Sequence, residues 1–374
     1  SSSRTPPMLV TSAALISPDR VNSSMPPASE VEKTASCCIV PCRVVIARYP
    51  QDKAQKLMTD HLQNAIAAGR YVMIAGPTAA GKSALAMTLA TRLDGVIINA
   101  DSMQLYRDLR ILTARPDAQD EARIPQRLYG VLDAAERASV ARWLDLAAVS
   151  VTAARKAGKM PIIIGGTGMY LQVALDGIAV IPAVPDDIHT ACIDELAQIG
   201  GSAFRVALAR LDPVTAERLF DGDSQRLVRA MGVVRATGRP ISAWQQDPHQ
   251  GAFDGTALKI AVLPPREQIY QAINTRFANM MDSGAIAEVE ALAARNLDPG
   301  LPVMKAIGVR EVIAMQKGEL DRAHAIEYAS RDSRHYAKRQ LTWLRNNYNA
   351  NCSFDSQLSE RNFEEIFSYL SLAP

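Results

Sequence analysis

The densest chemical signal in the chain is Gly76-Pro77-Thr78-Ala79-Ala80-Gly81-Lys82-Ser83, which fits G-x-x-x-x-G-K-[ST]. It lies directly after an apolar run and opens the amphipathic stretch Ser83 to Leu93. Glycines at that spacing let backbone N–H groups converge on phosphate oxygens at a helix N-terminus. Lys82 would then neutralise charge on the terminal phosphate, and the Ser83 hydroxyl would hold Mg²⁺. A loop of this kind reads phosphate and not a base. On its own it fits a small-molecule kinase, a nucleic-acid ATPase or a transferase whose leaving group is diphosphate.

Neighbouring residues narrow the chemistry. Asp101-Ser102-Met103-Gln104 follows a second apolar run, placing a carboxylate at the carboxyl end of a strand close to the phosphate site. Asp101 is therefore a candidate base or metal-sphere residue, and equally a candidate N-cap of the next helix. The run Ile162-Ile163-Ile164 enters Gly165-Gly166-Thr167-Gly168-Met169-Tyr170, where a magnesium-binding ATPase often carries a carboxylate and this chain carries none. The two leading glycines admit a ligand close to the backbone and Thr167 offers a hydroxyl; a tight strand-to-helix turn would use the same residues.

Two basic segments stand further on. In Gln225-Arg226-Leu227-Val228-Arg229, Arg226 and Arg229 share one helix face at i and i+3, the pattern of a solvated face or of a phosphate contact. Arg331, Arg334, Lys338 and Arg345 fall within about 60° of one another on a helix of 3.6 residues per turn. With Arg339, Gln340 and Trp343 in the same segment, this helix offers phosphate contacts and an aromatic surface, as an RNA binder does, or surface charge around a core Trp.

The elements that must position these residues are legible as short apolar runs alternating with amphipathic stretches. Tyr71 to Ala75, Val96 to Asn99 and Pro161 to Ile164 read as buried strands, and Ala257 to Leu263 as a strand in which the sheet resumes. The fold expected is α/β: a P-loop NTPase-like parallel sheet flanked by helices, with a helical insertion and a helical C-terminal region. Gln225 to Ala236 reads as a helix of the insertion, closed by Gly238 and Pro240. After Pro264 and Pro265 helices are expected to the end, with a break at Pro299 to Pro302.

The expected divisions are a disordered leader over 1–57, the first part of the P-loop core over 58–185, the insertion over 186–255, core completion and C-terminal helices over 256–350, and a tail over 351–374. The leader is rich in Ser, Pro and Ala; it also reads as a processed segment, a transit peptide, or sequence ahead of a start at Met58.

A chain of 374 residues, 48% of them hydrophobic, can bury a large core, and a net charge of +2 leaves any nucleic-acid contact to local clusters. Five cysteines and five histidines make neither a disulfide framework nor a zinc pattern, so a reducing, cytoplasmic setting is expected. The most apolar candidate span, Pro161 to Val184, is interrupted by Gly165, Gly166, Gly168 and Asp176, so no membrane association is expected.

Taken in order, GPTAAGKS, DSMQ, GGTGMYL, QRLVRA, KAIGVRE and YAKRQLTWLRN resemble the tRNA dimethylallyltransferase family, from residue 71 to about 348. The resemblance implies transfer of a dimethylallyl group from dimethylallyl diphosphate to N6 of the adenine 3′ of the anticodon, in tRNAs reading codons that begin with U. It implies Mg²⁺ as cofactor, tRNA and dimethylallyl diphosphate as partners, and a monomer.

By the same resemblance Asp101 is the general base, Thr167 assists at the reaction centre, and Arg276, in Thr275-Arg276-Phe277, grips the diphosphate with Lys82. Asp101, Ser102, Met103, Gln104, His189, Gln225, Arg226 and Arg229 would hold the RNA and its flipped nucleotide, together with Lys305, Arg310, Lys338, Arg339, Gln340, Trp343 and Arg345.

Four positions depart from the family pattern: Ala80 stands where Ser is common, Gln126 where His is, His189 where Arg is, and Val309 where Tyr is. None removes a proposed catalytic group. The zinc-finger extension of many eukaryotic members is lacking, as in a bacterial-type enzyme. Three rival readings are an adenylate isopentenyltransferase acting on free AMP, ADP or ATP, a small-molecule kinase, and an RNA-binding protein with an inactive P-loop.

Overall fold

The computed structural model describes residues 51–355 together with Ile366 and Tyr369. The expected disordered leader lies outside the described residues as far as position 50. From Gln51 the chain is already helical (α1, Gln51–Ala67), ahead of the boundary expected near residue 58.

Strand and helix then alternate: β1 (Tyr71–Ala75), α2 (Lys82–Arg92), β2 (Gly95–Asn99), α3 (Ala118–Arg123), β3 (Gln126–Arg127), α4 (Val140–Lys156), β4 (Met160–Gly165) and α5 (Gly168–Asp176). Four helices follow without a strand: α6 (Asp186–Ala209), α7 (Pro213–Arg218), α8 (Ser224–Thr237) and α9 (Ile241–Trp244). The sheet resumes with β5 (Ala257–Val262). Then come α10 (Arg266–Asp282), α11 (Ala285–Ala294), α12 (Val309–Gln316) and α13 (Arg322–Asn347), and finally β6 (Cys352–Phe354).

All six strands run parallel in the order β3-β2-β4-β1-β5-β6. The central strand β1 sets Ile74 beside Ile164 on one side and Ile260 on the other. Because side chains alternate along a strand, Val72, Ile74, Ile97, Ile162 and Ile260 fill one face against Leu85, Ala86 and Leu89 of α2. Met73, Ala75, Ile98, Ile163 and Ala261 fill the other, under Trp143 and Leu144 of α4. Both faces are covered, as a parallel sheet of near-continuous apolar runs requires.

The expectation of helices to the end is corrected by β6, which pairs with β5 through Ile260 and Cys352. Three residues are too few to show a period, and so is β3, with only Gln126 and Arg127. Helix ends follow local chemistry. Ser139 caps α4 by accepting from the Arg142 N–H at 3.1 Å, and Gly238, at φ 70°, closes α8 in the left-handed region where a glycine is cheapest.

The four-helix segment has its own core of Cys192, Phe204, Leu208, Leu227, Met231 and Ile241. Within it the buried Asp212 carboxylate takes hydrogen bonds from the backbone N–H and hydroxyl of both Thr215 and Ser242, at 2.7 to 3.1 Å. Burial pushes its pKa up, yet these donors outweigh burial and hold it below the usual carboxylate value.

Candidate active site

Three loops meet at the carboxyl ends of β1, β2 and β4. After β1 the chain turns through Gly76 to Ser83 with Ala79 at φ 61° and Gly81 at φ 86°. A left-handed Ala costs on the order of 1 kcal/mol, and packing of Ala79 against Ile273, Ala337 and Leu341 holds it there. Gly81 caps α2, so the first N–H groups of that helix lack intrahelical acceptors and face outward. The Lys82 ammonium folds back on the loop, donating to the Pro77 carbonyl at 2.7 Å.

After β2, the buried Asn99 fixes the next loop. Its amide donates to the carbonyls of Asp101 and Leu128 at 3.0 Å each, its carbonyl oxygen accepts from the Asp101 N–H at 2.8 Å, and its backbone carbonyl accepts from Trp143 Nε1 at 2.7 Å. Asp101 Oδ1 accepts from the Met103 N–H at 2.9 Å and so opens the 3₁₀ turn Met103–Leu105. The N-cap position itself falls to Ser102, so the N-cap reading of Asp101 shifts by one residue: Asp101 braces the turn from just ahead of it, and it lines a cavity.

After β4, the glycines of the Gly165-Gly166-Thr167-Gly168 turn are spent on the protein itself. A Cβ on Gly165 would collide with the Ala100 backbone, on Gly166 with the Gln340 amide and on Gly168 with the Trp343 ring. The reading that these glycines admit a ligand is corrected accordingly. Thr167 keeps its hydroxyl: Oγ1 is buried without a well-formed hydrogen bond.

A cavity of about 420 Å³ joins these loops to α10 and α13, within the size range of small-molecule sites. Its polar wall includes Thr78, Asp101, Arg276, Lys305, Tyr336 and Arg339, and its apolar wall Leu112, Phe277, Met280 and Ile307. Arg276 donates to the Thr78 hydroxyl at 2.6 Å, which ties α10 to the P-loop.

Electrostatically, Lys82 of the phosphate loop and Arg276 of the cavity wall both act on Asp101. Burial brings the Lys82 pKa down to about 8, opposed by Asp101 and reinforced by Arg276. Burial likewise holds Arg276 below its usual value, against the pull of Asp101. The Tyr336 phenol is pushed up to about 12, chiefly by burial and further by Asp101, while Thr167, Arg339 and Gln340 pull it down.

A diphosphate needs Lys82 charged. Affinity for inorganic diphosphate is therefore expected to be full below the Lys82 pKa of about 8 and to fall as pH rises through it, approaching about tenfold per pH unit. Calorimetric titration from about pH 7 to about pH 9.5 reads this; an affinity flat across that window counts against Lys82 as the phosphate ligand.

Of the residues the sequence singles out, Thr78, Asp101, Ser102, Met103, Arg276, Lys305 and Arg339 come together around the cavity. Gln104 does not line it; its amide donates to the carbonyls of Thr113 and Ala114 at 2.8 and 3.1 Å and braces the loop. Gln340, expected at an RNA surface, is only 5% exposed and holds two loops together. Trp343 is half-buried against Gly168, with one edge in a groove beside His335, Lys338 and Arg339.

His189, Gln225, Arg226 and Arg229 are exposed on α6 and α8 and do not line the cavity. Arg226 pairs with Asp223 at 2.8 Å. Arg310, Lys338 and Arg345 are exposed, without ion-pair partners among the described residues. Val309 is fully buried and Ala80 nearly so, whereas Gln126 reaches Met87 Sδ at 3.6 Å.

Tyr336, Phe277 and Met280 also line the cavity, and no motif marks them in the sequence. Their signal was the inward period of α13 and α10, where Ser333, Ala337, Gln340 and Leu344 recur at three and four residues on the buried face.

A family model described as IPP transferase matches residues 104–347, and one described as Isopentenyl transferase matches residues 69–137. The chain is similar to the tRNA dimethylallyltransferase of Rhodospirillum rubrum, 48% identical over 304 residues that span 80% of this chain and 93% of that protein. To its counterpart in Parvibaculum lavamentivorans it is 44% identical, over 81% of this chain and 96% of the other.

Among solved structures, the full-length tRNA isopentenylpyrophosphate transferase of Bacillus halodurans superposes with a TM-score of 0.58 at 30% identity, covering 81% of this chain and 95% of that one. A eukaryotic dimethylallyltransferase acting on tRNA superposes with a TM-score of 0.64 at 26% identity, over 74% of this chain and 69% of the other.

Proposed function

Because this chain belongs to the tRNA dimethylallyltransferase family and transfers a dimethylallyl group to tRNA, we propose that the cavity at Asp101 is where the transfer occurs. The donor is dimethylallyl diphosphate and the acceptor N6 of the adenine 3′ of the anticodon, in tRNAs reading codons that begin with U. The observation that carries this is that Asp101 and Arg276 line one cavity with an apolar side at Leu112, Phe277, Met280 and Ile307, and that both interact electrostatically with Lys82 of the adjoining loop.

Each group has a task the chemistry demands. An exocyclic amine is a poor nucleophile because its lone pair is delocalised into the ring. A carboxylate that accepts its proton as the C–N bond forms lowers the barrier, and Asp101 is that carboxylate. As the C–O bond to diphosphate breaks, charge grows on the leaving group, where Lys82, Arg276 and the N–H groups opening α2 meet it. Leu112, Phe277, Met280 and Ile307 shelter the allylic carbon from water. The adenine must leave its stack to enter, and the exposed cations of α13, Lys338, Arg339 and Arg345, hold the strand while it does.

Magnesium fits the loop. Among the described residues no cluster of three His, Cys, Asp or Glu side chains exists, so a cation would rest on the exposed Ser83 hydroxyl and on the substrate's own phosphates, the manner in which Mg²⁺ is commonly held. Its chemistry there is charge neutralisation on the diphosphate. The buried thiol of Cys192 suits a reducing compartment, and we read the protein as a cytoplasmic monomer.

Incubating the protein with unmodified tRNA, Mg²⁺ and dimethylallyl diphosphate is expected to add one C₅H₈ unit to tRNA adenosine, read by nucleoside mass analysis, and nothing to AMP. Gain on AMP would move the acceptor to free nucleotides. No gain on either, with ATP consumed, would make the loop a kinase site.

A further inference from the structure

Helix α13 meets the active-site loops at several points. Ala337 and Leu341 pack on Ala79 of the P-loop, Trp343 covers Gly168, Tyr336 faces the Thr167 hydroxyl, and among them Gln340 bonds to both loops at once. Its Oε1 accepts from the Thr78 N–H at 2.8 Å and its Nε2 donates to the Gly166 carbonyl at 2.9 Å. The side chain is 5% exposed, so water offers little substitute for either bond. A primary amide is one of the few groups that presents one acceptor and one donor in a fixed plane.

What the two bonds hold is specific. Thr78 is the residue whose hydroxyl takes the Arg276 guanidinium at 2.6 Å, so one end of Gln340 sets the leaving-group side. Gly166 precedes Thr167, whose buried hydroxyl faces the Tyr336 phenol at the cavity wall, so the other end sets the reaction-centre side. A Cβ at Gly166 would collide with Gln340 and stand 2.8 Å from the Gly76 carbonyl oxygen, so the fit admits only glycine.

We infer that Gln340 is a positioning residue: it holds the diphosphate-binding loop and the Thr167 turn in register, so that the allylic carbon faces the adenine amine and not water. This rests on the diphosphate lying at Lys82 and Arg276. When register is lost, C–O cleavage still proceeds, but water competes for the carbon. Its oxygen then forms the new bond, a proton is released, and dimethylallyl alcohol and diphosphate are the products. An angstrom of misplacement is enough to cost on the order of 10²-fold in rate.

The test compares Gln340→Met, which fills the space without either hydrogen bond, with Gln340→Glu, which keeps the acceptor for Thr78 and sets a carboxylate against the Gly166 carbonyl. Diphosphate released and adenosine alkylated are counted in the same reaction with tRNA, Mg²⁺ and dimethylallyl diphosphate. The expected result is a ratio near one in the wild type, rising several-fold in each variant that folds. Alkylation turnover drops about tenfold or more, while tRNA affinity stays within about twofold of wild type.

A ratio that stays at the wild-type value in a folded variant overturns the inference. So does a loss confined to tRNA affinity, which would restore Gln340 to the RNA surface. Wild-type protein that alkylates no tRNA would sink the proposed transfer itself, and it is told apart because the failure precedes any substitution. Should the methionine variant not fold, the glutamate variant decides alone.

Discussion

Asp101→Ala is expected to lower turnover by on the order of 10² or more while leaving tRNA affinity within a few-fold of wild type. The reason lies in how the carboxylate is used. One oxygen, Oδ1, is committed to the Met103 N–H at 2.9 Å, and the backbone on either side is pinned by Asn99. The residue lines the cavity with Arg276 and Tyr336, and Oδ2 is left available to accept a proton. Asp101→Asn sharpens the experiment, because an amide oxygen still accepts from the Met103 N–H but the group no longer takes a proton at neutral pH. Both variants should be slow in single-turnover measurements with tRNA in excess. Wild-type turnover in Asp101→Asn would remove the base assignment and leave Asp101 as a brace of the turn alone.

Lys82→Met should raise KM for dimethylallyl diphosphate by about 10²-fold or more, the scale expected when one partner of a buried charged contact is removed. The geometry makes the loss hard to repair. Lys82 sits at the first position of α2, its ammonium already bonded to the Pro77 carbonyl in the loop, and Arg276 is engaged with Thr78 and cannot substitute without breaking that contact. Binding of tRNA in the absence of donor should be unaffected, since Lys82 lies on the loop side of the cavity and the exposed cations are on α13. An unchanged KM in the folded variant would move the diphosphate elsewhere.

The sequence disclosed the parts of this protein whose periodicity or spacing is dictated by backbone physics. Parallel strands buried on both faces have to be continuous apolar runs, so β1, β2, β4 and β5 could be read to within a residue or two. A phosphate loop has to place glycines at fixed offsets, and Gly76 to Ser83 does.

Pairings set by tertiary contact stayed hidden. Nothing in Cys352-Ser353-Phe354 announces a strand until Ile260 is known to lie beside it. Likewise, Gln340 belongs to a basic, polar segment and reads as a surface residue. Only its recurrence with Ser333, Ala337 and Leu344 marks it as internal, and only the positions of Thr78 and Gly166 explain why an amide stands there. The cavity's apolar wall is drawn from the loop at Leu112, from α10 and from the turn at Ile307, so no single window of sequence contains it.

The order of the strands also bears on how the chain folds. Tyr71 in β1 registers with Ala257 in β5, and the whole four-helix segment lies between those partners. Contacts of that separation come late, because loop-closure entropy must be met before the pairing rewards it. While the chain is being synthesised, β1, β2 and β4 can pair as a three-stranded sheet with β1 as its open edge. That edge carries unsatisfied backbone groups and buried-type side chains. The separate core around Phe204 and Met231 gives the intervening segment the means to condense by itself, shortening the effective loop before β5 arrives to cover the edge. Helix α13, with its exposed cations, is thus among the last elements to be set in place, and a nascent chain has the phosphate loop before it has that helix.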